Sequence, residues 1–170
     1  RRQRQMCIRD RYNVPGRTSV DMQPETVLRL STHKNIVGIK EASGNKERSN
    51  NLMKLCSANM KIFTGDDKTS ASDIIDGFSG NISVTANIAP SDMHQMCKFA
   101  SEGNIEMANK LNDKIDILHD SLFCESNPIP VKWCLHKMGL IKKGIRLPLT
   151  WMDSKYDELL NQALIKAGIS

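Results

Sequence analysis

The feature of this 170-residue chain that most restricts its fold is a regular alternation of short β-branched segments with amphipathic ones. The predicted strands cover residues 36–40, 61–64 and 81–86. The predicted helices cover residues 24–31, 46–57 and about 71–78. Short strands separated by helices of one to three turns are typical of a parallel sheet built from β–α units.

Beyond residue 89 the chain shows only helical periodicity. Ser91, after Pro90, is predicted to cap a helix that ends at Gly103. Three more helices are expected around residues 108–122, 134–138 and 156–167. A closed (β/α) barrel needs eight strands and about 250 residues. The pattern therefore predicts the back half of such a barrel followed by a helical appendage.

The charge of the chain is concentrated at its start. Five arginines and one aspartate give residues 1–11 a net charge of +4, out of +5 for the whole chain. Such a cluster could bind phosphate groups, but the remaining sequence has no basic stripe interleaved with aromatics. We therefore predict no nucleic-acid partner. Our hypothesis is that residues 1–11 are foreign or misread sequence, and an independent DNA reading that reproduces them in frame would contradict it.

The five cysteines and the hydropathy pattern indicate a cytoplasmic protein. The cysteines are odd in number and widely spaced, without a C-x-x-C pair, which argues against a disulfide framework and a zinc ribbon. No apolar run approaches the roughly 18 residues of a membrane span, and no secretory leader is visible. We predict no membrane partner.

Lys40 is the candidate nucleophile. It ends the apolar segment 36–40 and is followed by Ser43 and Gly44. Burial disfavours the ammonium form and moves a lysine pKa from about 10.4 toward neutrality, where the amine attacks carbonyl carbons. The C-terminal end of a barrel strand is where a Schiff-base lysine is expected. A surface lysine beyond a strand end fits equally well, so the segment alone leaves both interpretations open.

Several short motifs occur in order along the chain. They are YNVPGRT at 12–18, GIKEASG at 38–44, GDD at 65–67, SVTAN at 83–87, NPIPVK at 127–132 and RLPL at 146–149. Together they resemble the dihydrodipicolinate synthase (4-hydroxy-tetrahydrodipicolinate synthase) family of class I pyruvate-dependent aldolases. The resemblance implies an α/β fold, the C-terminal half of a (β/α)8 TIM barrel plus a C-terminal helical extension. Residues 12–90 would form the partial barrel, and residues 91–170 its last helix and the extension.

The resemblance also implies roles for particular residues. Lys40 would form the Schiff base with pyruvate, and Tyr12 would donate and accept protons. Arg17 would bind the carboxylate of L-aspartate 4-semialdehyde, and the backbone carbonyl of Ile82 would lie near pyruvate. Without the motif, the favoured interpretation of Tyr12 is an aromatic packed at a strand end, and that of Arg17 is a solvated turn residue. The implied activity is that of a lyase in lysine (diaminopimelate) biosynthesis, without cofactor or metal.

Part of the implied pocket has no counterpart in these residues. The family's paired threonines and a second tyrosine precede the tyrosine strand, so we expect the 170 residues alone to be inactive. One alternative is another pyruvate aldolase such as N-acetylneuraminate lyase, although Arg17 favours the synthase. A further alternative is a non-catalytic half-barrel that acts as an interaction module. When complete, the protein is expected to be a homotetramer, a dimer of dimers.

Several other titratable residues are predicted to have no part in catalysis. Asp66 and Asp67 are predicted to be solvated or to cap a helix. Glu41 should point away from Lys40 because side chains alternate along a strand. The histidines are scattered without a metal-binding spacing and are predicted to lie on the surface or at helix ends; they are His33, His94, His119 and His136.

Overall fold

The computed structural model describes residues 9–169, which form two compact units that divide between Ile82 and Ser83. The strands of the first unit are β1 (Arg9–Asn13), β2 (Ile36–Glu41), β3 (Lys61–Thr64) and β4 (Gly80–Asn81). Its helices are α1 (Pro15–Thr18), α2 (Pro24–Ser31), α3 (Lys46–Cys56) and α4 (Ser70–Ile75). The strands are parallel and adjacent in the order β1-β2-β3-β4, as the β–α pattern predicts.

The interpretation of residues 1–11 as foreign sequence falls on two different parts of the chain. Residues 1–8 lie outside the described residues. Residues 9–11 belong to β1, which pairs with β2 along its length.

The register of the sheet brings the C-terminal ends of β1, β2 and β3 to one edge. Tyr12 lies opposite Lys40, and Asn13 lies opposite Glu41. On the other side of β2, Glu41 lies opposite Thr64. Because successive side chains point to opposite faces of a sheet, Tyr12 and Lys40 share one face, and Asn13 and Glu41 share the other.

Local signals in the sequence explain where the helices of this unit begin. Pro24 is the first residue of α2, where its missing N–H is no loss because the first helical amides have no partner within the helix. The side chain of Asn45 caps α3 by accepting a hydrogen bond from the Arg48 amide at 3.0 Å. Apolar side chains form the core: Val27, Ile36, Ile39, Leu52, Ile62, Ile74 and Phe78.

The predicted strand over residues 81–86 is wrong beyond its first residue. Strand β4 ends at Asn81, and Thr85–Asn87 form a 3-10 turn. The hydroxyl of Ser83 accepts a hydrogen bond from the Ala86 amide at 2.9 Å. This local bond satisfies a backbone group that a strand would have to pair with a neighbour, so the chain turns despite its β-branched residues.

The second unit is helical in its described part, as predicted for residues beyond 89. Its helices are α5 (Pro90–Ser101), α6 (Ile105–Ser121), α7 (Ile129–Lys137) and α8 (Asp157–Lys166), and Ser154–Tyr156 form a 3-10 turn. Ser91 is not the cap of α5, because Pro90 already occupies the first helical position and Ala89 is the N-cap. The buried core includes Met96, Ile115, Leu118, Leu122, Trp133 and Leu160.

Among residues 9–169, no helix has both the length and the apolar character needed to span a bilayer.

Candidate active site

Tyr12 and Lys40 form the centre of the candidate site. They are register partners on β1 and β2, and the Lys40 Nζ lies 4.3 Å from the centroid of the Tyr12 ring. The Tyr12 side chain is 49% exposed, whereas Lys40 is half-buried. A primary amine and a phenol are therefore adjacent on one face of the sheet, at the edge where parallel-strand enzymes place their chemistry.

The surroundings of Lys40 favour its neutral form. Burial lowers the pKa of the amine, the negative charge of Asp67 opposes this shift, and the positive charge of Arg17 adds to it. The direction agrees with the expectation from the apolar strand that precedes Lys40. A lysine with a lowered pKa has more of the unprotonated amine that adds to a carbonyl carbon.

Gly65 provides the space that the Lys40 side chain occupies. The residue follows β3, and its amide donates to the Glu41 carbonyl oxygen at 2.7 Å. A Cβ atom at this position would lie 2.4 Å from Cε of Lys40 and 2.8 Å from Cβ of Ala42. Glycine is required here because the backbone and the lysine side chain approach so closely.

Arg17 lies in α1, on the segment that leaves the end of β1. The amide of Arg17 donates to the Val14 carbonyl oxygen at 2.9 Å, and Ser19 ends the turn in the left-handed region with φ of 55°. The Arg17 side chain is exposed, so its guanidinium is available to a ligand, and its charge acts on Lys40.

Ile82 lies at the same edge of the sheet. It directly follows β4, and its amide extends the parallel ladder by donating to the Thr64 carbonyl oxygen at 2.9 Å. Its side chain is 44% exposed. Four positions predicted from sequence thus lie near or just beyond the C-terminal ends of β1, β2 and β4: Tyr12, Arg17, Lys40 and Ile82.

Asp67 is buried, which contradicts one of its two predicted environments. It is 3% exposed, and its Oδ1 accepts a hydrogen bond from Nδ2 of Asn81 at 2.8 Å. The prediction of a solvated side chain is therefore wrong for Asp67, whose charge acts on Lys40. Asp66 behaves as a turn residue, because its Oδ1 accepts from the Lys68 amide at 3.0 Å.

Glu41 belongs to a buried polar network that sequence reasoning missed. Its carboxylate accepts from Nε of Arg48 at 2.9 Å, from the Ser43 amide at 2.8 Å and from Nδ2 of Asn13. These partners agree with the expectation that Glu41 points away from Lys40. The alternation of side chains along β2 correctly predicts the sheet face on which Glu41 lies. The contact with Arg48, on the following helix, depends on the tertiary fold and cannot be read from this alternation.

In the described part of the chain, the histidines and acidic residues add no metal site. His119 lies in the last turn of α6, as predicted for a helix-end residue, but it is buried and its Nδ1 lies 2.9 Å from the Thr85 hydroxyl. Within residues 9–169, no group of three or more His, Cys, Asp or Glu side chains is arranged to hold a metal ion.

Comparisons with known proteins match most of the chain to one family. Residues 11–167 match the model of the dihydrodipicolinate synthetase family. The 4-hydroxy-tetrahydrodipicolinate synthase of Pseudomonas syringae pv. syringae is 51% identical over 158 residues, which cover 93% of this chain and 54% of that relative. The chain therefore spans about half the length of the curated relatives that it matches.

Solved structures agree with this result. The chloride-inhibited dihydrodipicolinate synthase of Acinetobacter baumannii, complexed with pyruvate, has a TM-score of 0.93 and 51% identity, over 95% of this chain and 55% of that chain. The dihydrodipicolinate synthase of Thermotoga maritima has a TM-score of 0.90 and 37% identity, over 94% of this chain and 55% of that chain. These neighbours confirm the predicted fold class, an α/β segment of a (β/α)8 barrel.

Proposed function

The chain belongs to the dihydrodipicolinate synthetase family, and we propose that the complete protein condenses pyruvate with L-aspartate 4-semialdehyde in lysine (diaminopimelate) biosynthesis. The observation that carries the proposal is the pairing of Lys40 with Tyr12, with Nζ 4.3 Å from the ring centroid. The burial that lowers the Lys40 pKa supports it, because the first step needs a neutral amine.

The proposed reaction begins at the Lys40 amine. Nζ adds to the keto carbon of pyruvate, and loss of water gives a protonated Schiff base. This iminium withdraws electrons, so the methyl carbon loses a proton and becomes an enamine. The enamine carbon then attacks the aldehyde carbon of the semialdehyde, forming a C–C bond while the C=O π bond opens and its oxygen takes up a proton to become a hydroxyl. Attack by the amino group of the semialdehyde on the imine carbon closes the ring and releases the Lys40 amine.

Tyr12 is proposed to move the protons of these steps. Its hydroxyl both donates and accepts, which suits a residue that protonates one intermediate and deprotonates the next. The contact of the Lys40 Nζ with the Tyr12 ring, 4.3 Å from its centroid, supports this role.

Arg17 and Ile82 are proposed to bind the substrates. A guanidinium can bind a carboxylate through two parallel hydrogen bonds. The Arg17 side chain is exposed, and its positive charge contributes to the lowered pKa of Lys40. The backbone carbonyl of Ile82 is proposed to lie beside bound pyruvate, because Ile82 follows β4 at the same sheet edge. Neither role requires a cofactor or a metal.

Reductive trapping tests the nucleophile. The complete protein is incubated with pyruvate and treated with borohydride, and its mass and peptide map are then measured. We expect one reduced pyruvyl group on Lys40. The variant Lys40→Arg keeps the charge and should not be labelled, whereas the matched control Lys61→Arg, at the exposed start of β3, should be labelled like the parent. A pyruvyl group on another side chain would refute the mechanism.

A comparison of aldehydes tests the second substrate. The complete protein is assayed with pyruvate and either L-aspartate 4-semialdehyde or N-acetylmannosamine, the aldehyde that an N-acetylneuraminate lyase would use. We expect turnover of the semialdehyde only. The 170-residue chain is assayed in parallel, and we expect it to be inactive alone.

The assembly and location of the complete protein are also part of the proposal. We propose a homotetramer, a dimer of dimers, which sedimentation analysis of the complete protein would test. The proposed biosynthetic substrates support action in the cytoplasm, which cell fractionation would test.

A further inference from the structure

The side chain of Asn13 joins the two ends of the segment that carries Arg17. Its Nδ2 donates to Oδ1 of Asp21 at 2.9 Å and to the Glu41 carboxylate at 3.1 and 3.2 Å. Its Oδ1 accepts a hydrogen bond from the Met22 amide at 3.0 Å. Asn13 is 2% exposed, so these bonds form where water competes little. The chain leaves β1 at Asn13 and returns to the same side chain at residues 21–22.

Arg48 holds the returning end from the other side. Its Nε donates to Oε2 of Glu41 at 2.9 Å, and its Nη1 lies 3.2 Å from Oδ1 of Asp21. Its Nη2 donates to the Met22 carbonyl oxygen. The side chains of Arg48 and Glu41 are 8% and 2% exposed, whereas that of Asp21 is 43% exposed. We call these four side chains, Asn13, Asp21, Glu41 and Arg48, the anchoring network.

The anchoring network and the candidate reactive residues belong to the same strand positions. Asn13 and Glu41 directly follow Tyr12 and Lys40, and both pairs are in register across β1 and β2. One face of the two strand ends therefore carries the amine and the phenol, and the opposite face carries the anchors. A shift of either end of the segment relative to Lys40 has to break bonds of the network.

Between its anchored ends, the described hydrogen bonds of residues 14–20 stay within the segment. Residues 16–20 are exposed, and they include Arg17. The hydrogen bonds of Thr18 reach only Val14 and Val20, within the segment itself. The position of the Arg17 guanidinium relative to Lys40 thus depends on how firmly Asn13 and Arg48 hold Asp21 and Met22.

We propose that the anchoring network is a positioning device for Arg17. The network holds the guanidinium where it binds the carboxylate of the second substrate, and its four side chains take no part in forming the Schiff base. The inference rests on the proposed function. Asp21 is the member to change, because it holds the end of the segment and is not itself buried.

The first test is Asp21→Asn in the complete protein, with Glu25→Gln as the matched control. An amide has one acceptor oxygen where the carboxylate has two, and its NH2 group would face the donors of Asn13 or Arg48. We expect KM for L-aspartate 4-semialdehyde to rise roughly 3- to 10-fold, because a small displacement of a positioning group weakens binding. Reductive trapping of pyruvate should change less than about twofold. Glu25→Gln removes the same charge from the exposed first turn of α2 and should change neither value.

A double-mutant cycle separates positioning from a general structural role. If Asp21 acts through Arg17, then Asp21→Asn should raise KM for the semialdehyde in the parent but not in Arg17→Ala. Equal fold-changes in both backgrounds would overturn the inference, and so would an unchanged KM in the single variant. Failure of the proposed function has a different signature: the parent itself would not trap pyruvate at Lys40 or would not consume the semialdehyde.

Discussion

Gly65→Ala should disable the candidate nucleophile although it replaces no ionisable residue. The new Cβ would lie 2.4 Å from Cε of Lys40 and 2.8 Å from Cβ of Ala42, which are roughly 1.1 and 0.7 Å short of a carbon–carbon contact of about 3.5 Å. The lysine chain can rotate away, but Cβ of Ala42 is fixed to the backbone of the neighbouring strand end. Relief therefore requires both a displaced amine and a small backbone shift.

The two displacements have separate magnitudes. Overpacking of this kind costs about 1 to 3 kcal/mol of unfolding free energy. A reactive amine moved by about 1 Å loses roughly 100-fold in rate, because attack on the carbonyl needs a near-attack geometry. We expect the complete protein with Gly65→Ala to remain folded and to form the pyruvyl adduct about two orders of magnitude more slowly.

Rapid-quench trapping measures this effect directly. The variant and the parent are mixed with pyruvate, quenched with borohydride at successive times and analysed by intact mass, while urea unfolding reports stability. Gly16→Ala is the matched control, since a Cβ at Gly16 meets nothing within 4 Å. Trapping by Gly65→Ala at the rate of the parent would refute the account of Gly65 as the space for Lys40.

Four further predictions concern charge, burial and assembly. Trapping of pyruvate needs the neutral amine, so its rate should rise with pH through the lowered pKa of Lys40. Asp67→Asn should move the inflection of this profile to lower pH, because the Asp67 charge raises the Lys40 pKa. An inflection that moves to higher pH would contradict this. Arg48→Leu leaves the Glu41 carboxylate buried without its cation and should lower the free energy of unfolding in urea by about 3 to 5 kcal/mol. A decrease below about 1 kcal/mol would show that the ion pair is not needed for stability. Burial raises the pKa of the Cys134 thiol to about 12, so iodoacetamide at pH 8 should label Cys134 only after unfolding, and peptide mapping of the native protein checks this. Among the described residues, β1 and β4 each pair with a neighbour on one side only, so each has an unpaired strand edge. The 170-residue chain alone should therefore self-associate in sedimentation velocity. A sharp two-state melt of a monomer would argue against this.

The sequence predicted the elements whose signals are local. Helix α2 begins at Pro24 and β2 begins at Ile36, both as expected from a proline at the first helical turn and an apolar β-branched run. The alternation of side chains along a strand also separated Lys40 from Glu41 correctly. These features depend on neighbours within a few residues, which is the range over which periodicity and capping act.

The errors arise where partners are distant or where two local preferences compete. Asp67 looks like a turn carboxylate in the sequence, yet Asn81 from the next strand buries and binds it. Val84 is β-branched, but it adopts helical angles in a turn where the Ser83 hydroxyl accepts a hydrogen bond from the Ala86 amide. Arg48 looks like one more charge on a helix surface until the sheet brings Glu41 beneath it. Such contacts join residues that are distant in sequence, so local sequence patterns do not predict them.

The anchors at Asn13 and at residues 21–22 lie outside the stretch that carries Arg17. Residues between them can therefore be exchanged as a cassette while the nucleophile on β2 stays in place. An engineer who wishes to change the aldehyde accepted by such an enzyme should keep the four anchoring side chains and diversify residues 14–20. Selectivity for the acceptor and reactivity toward the keto acid would then evolve on separate pieces of the chain.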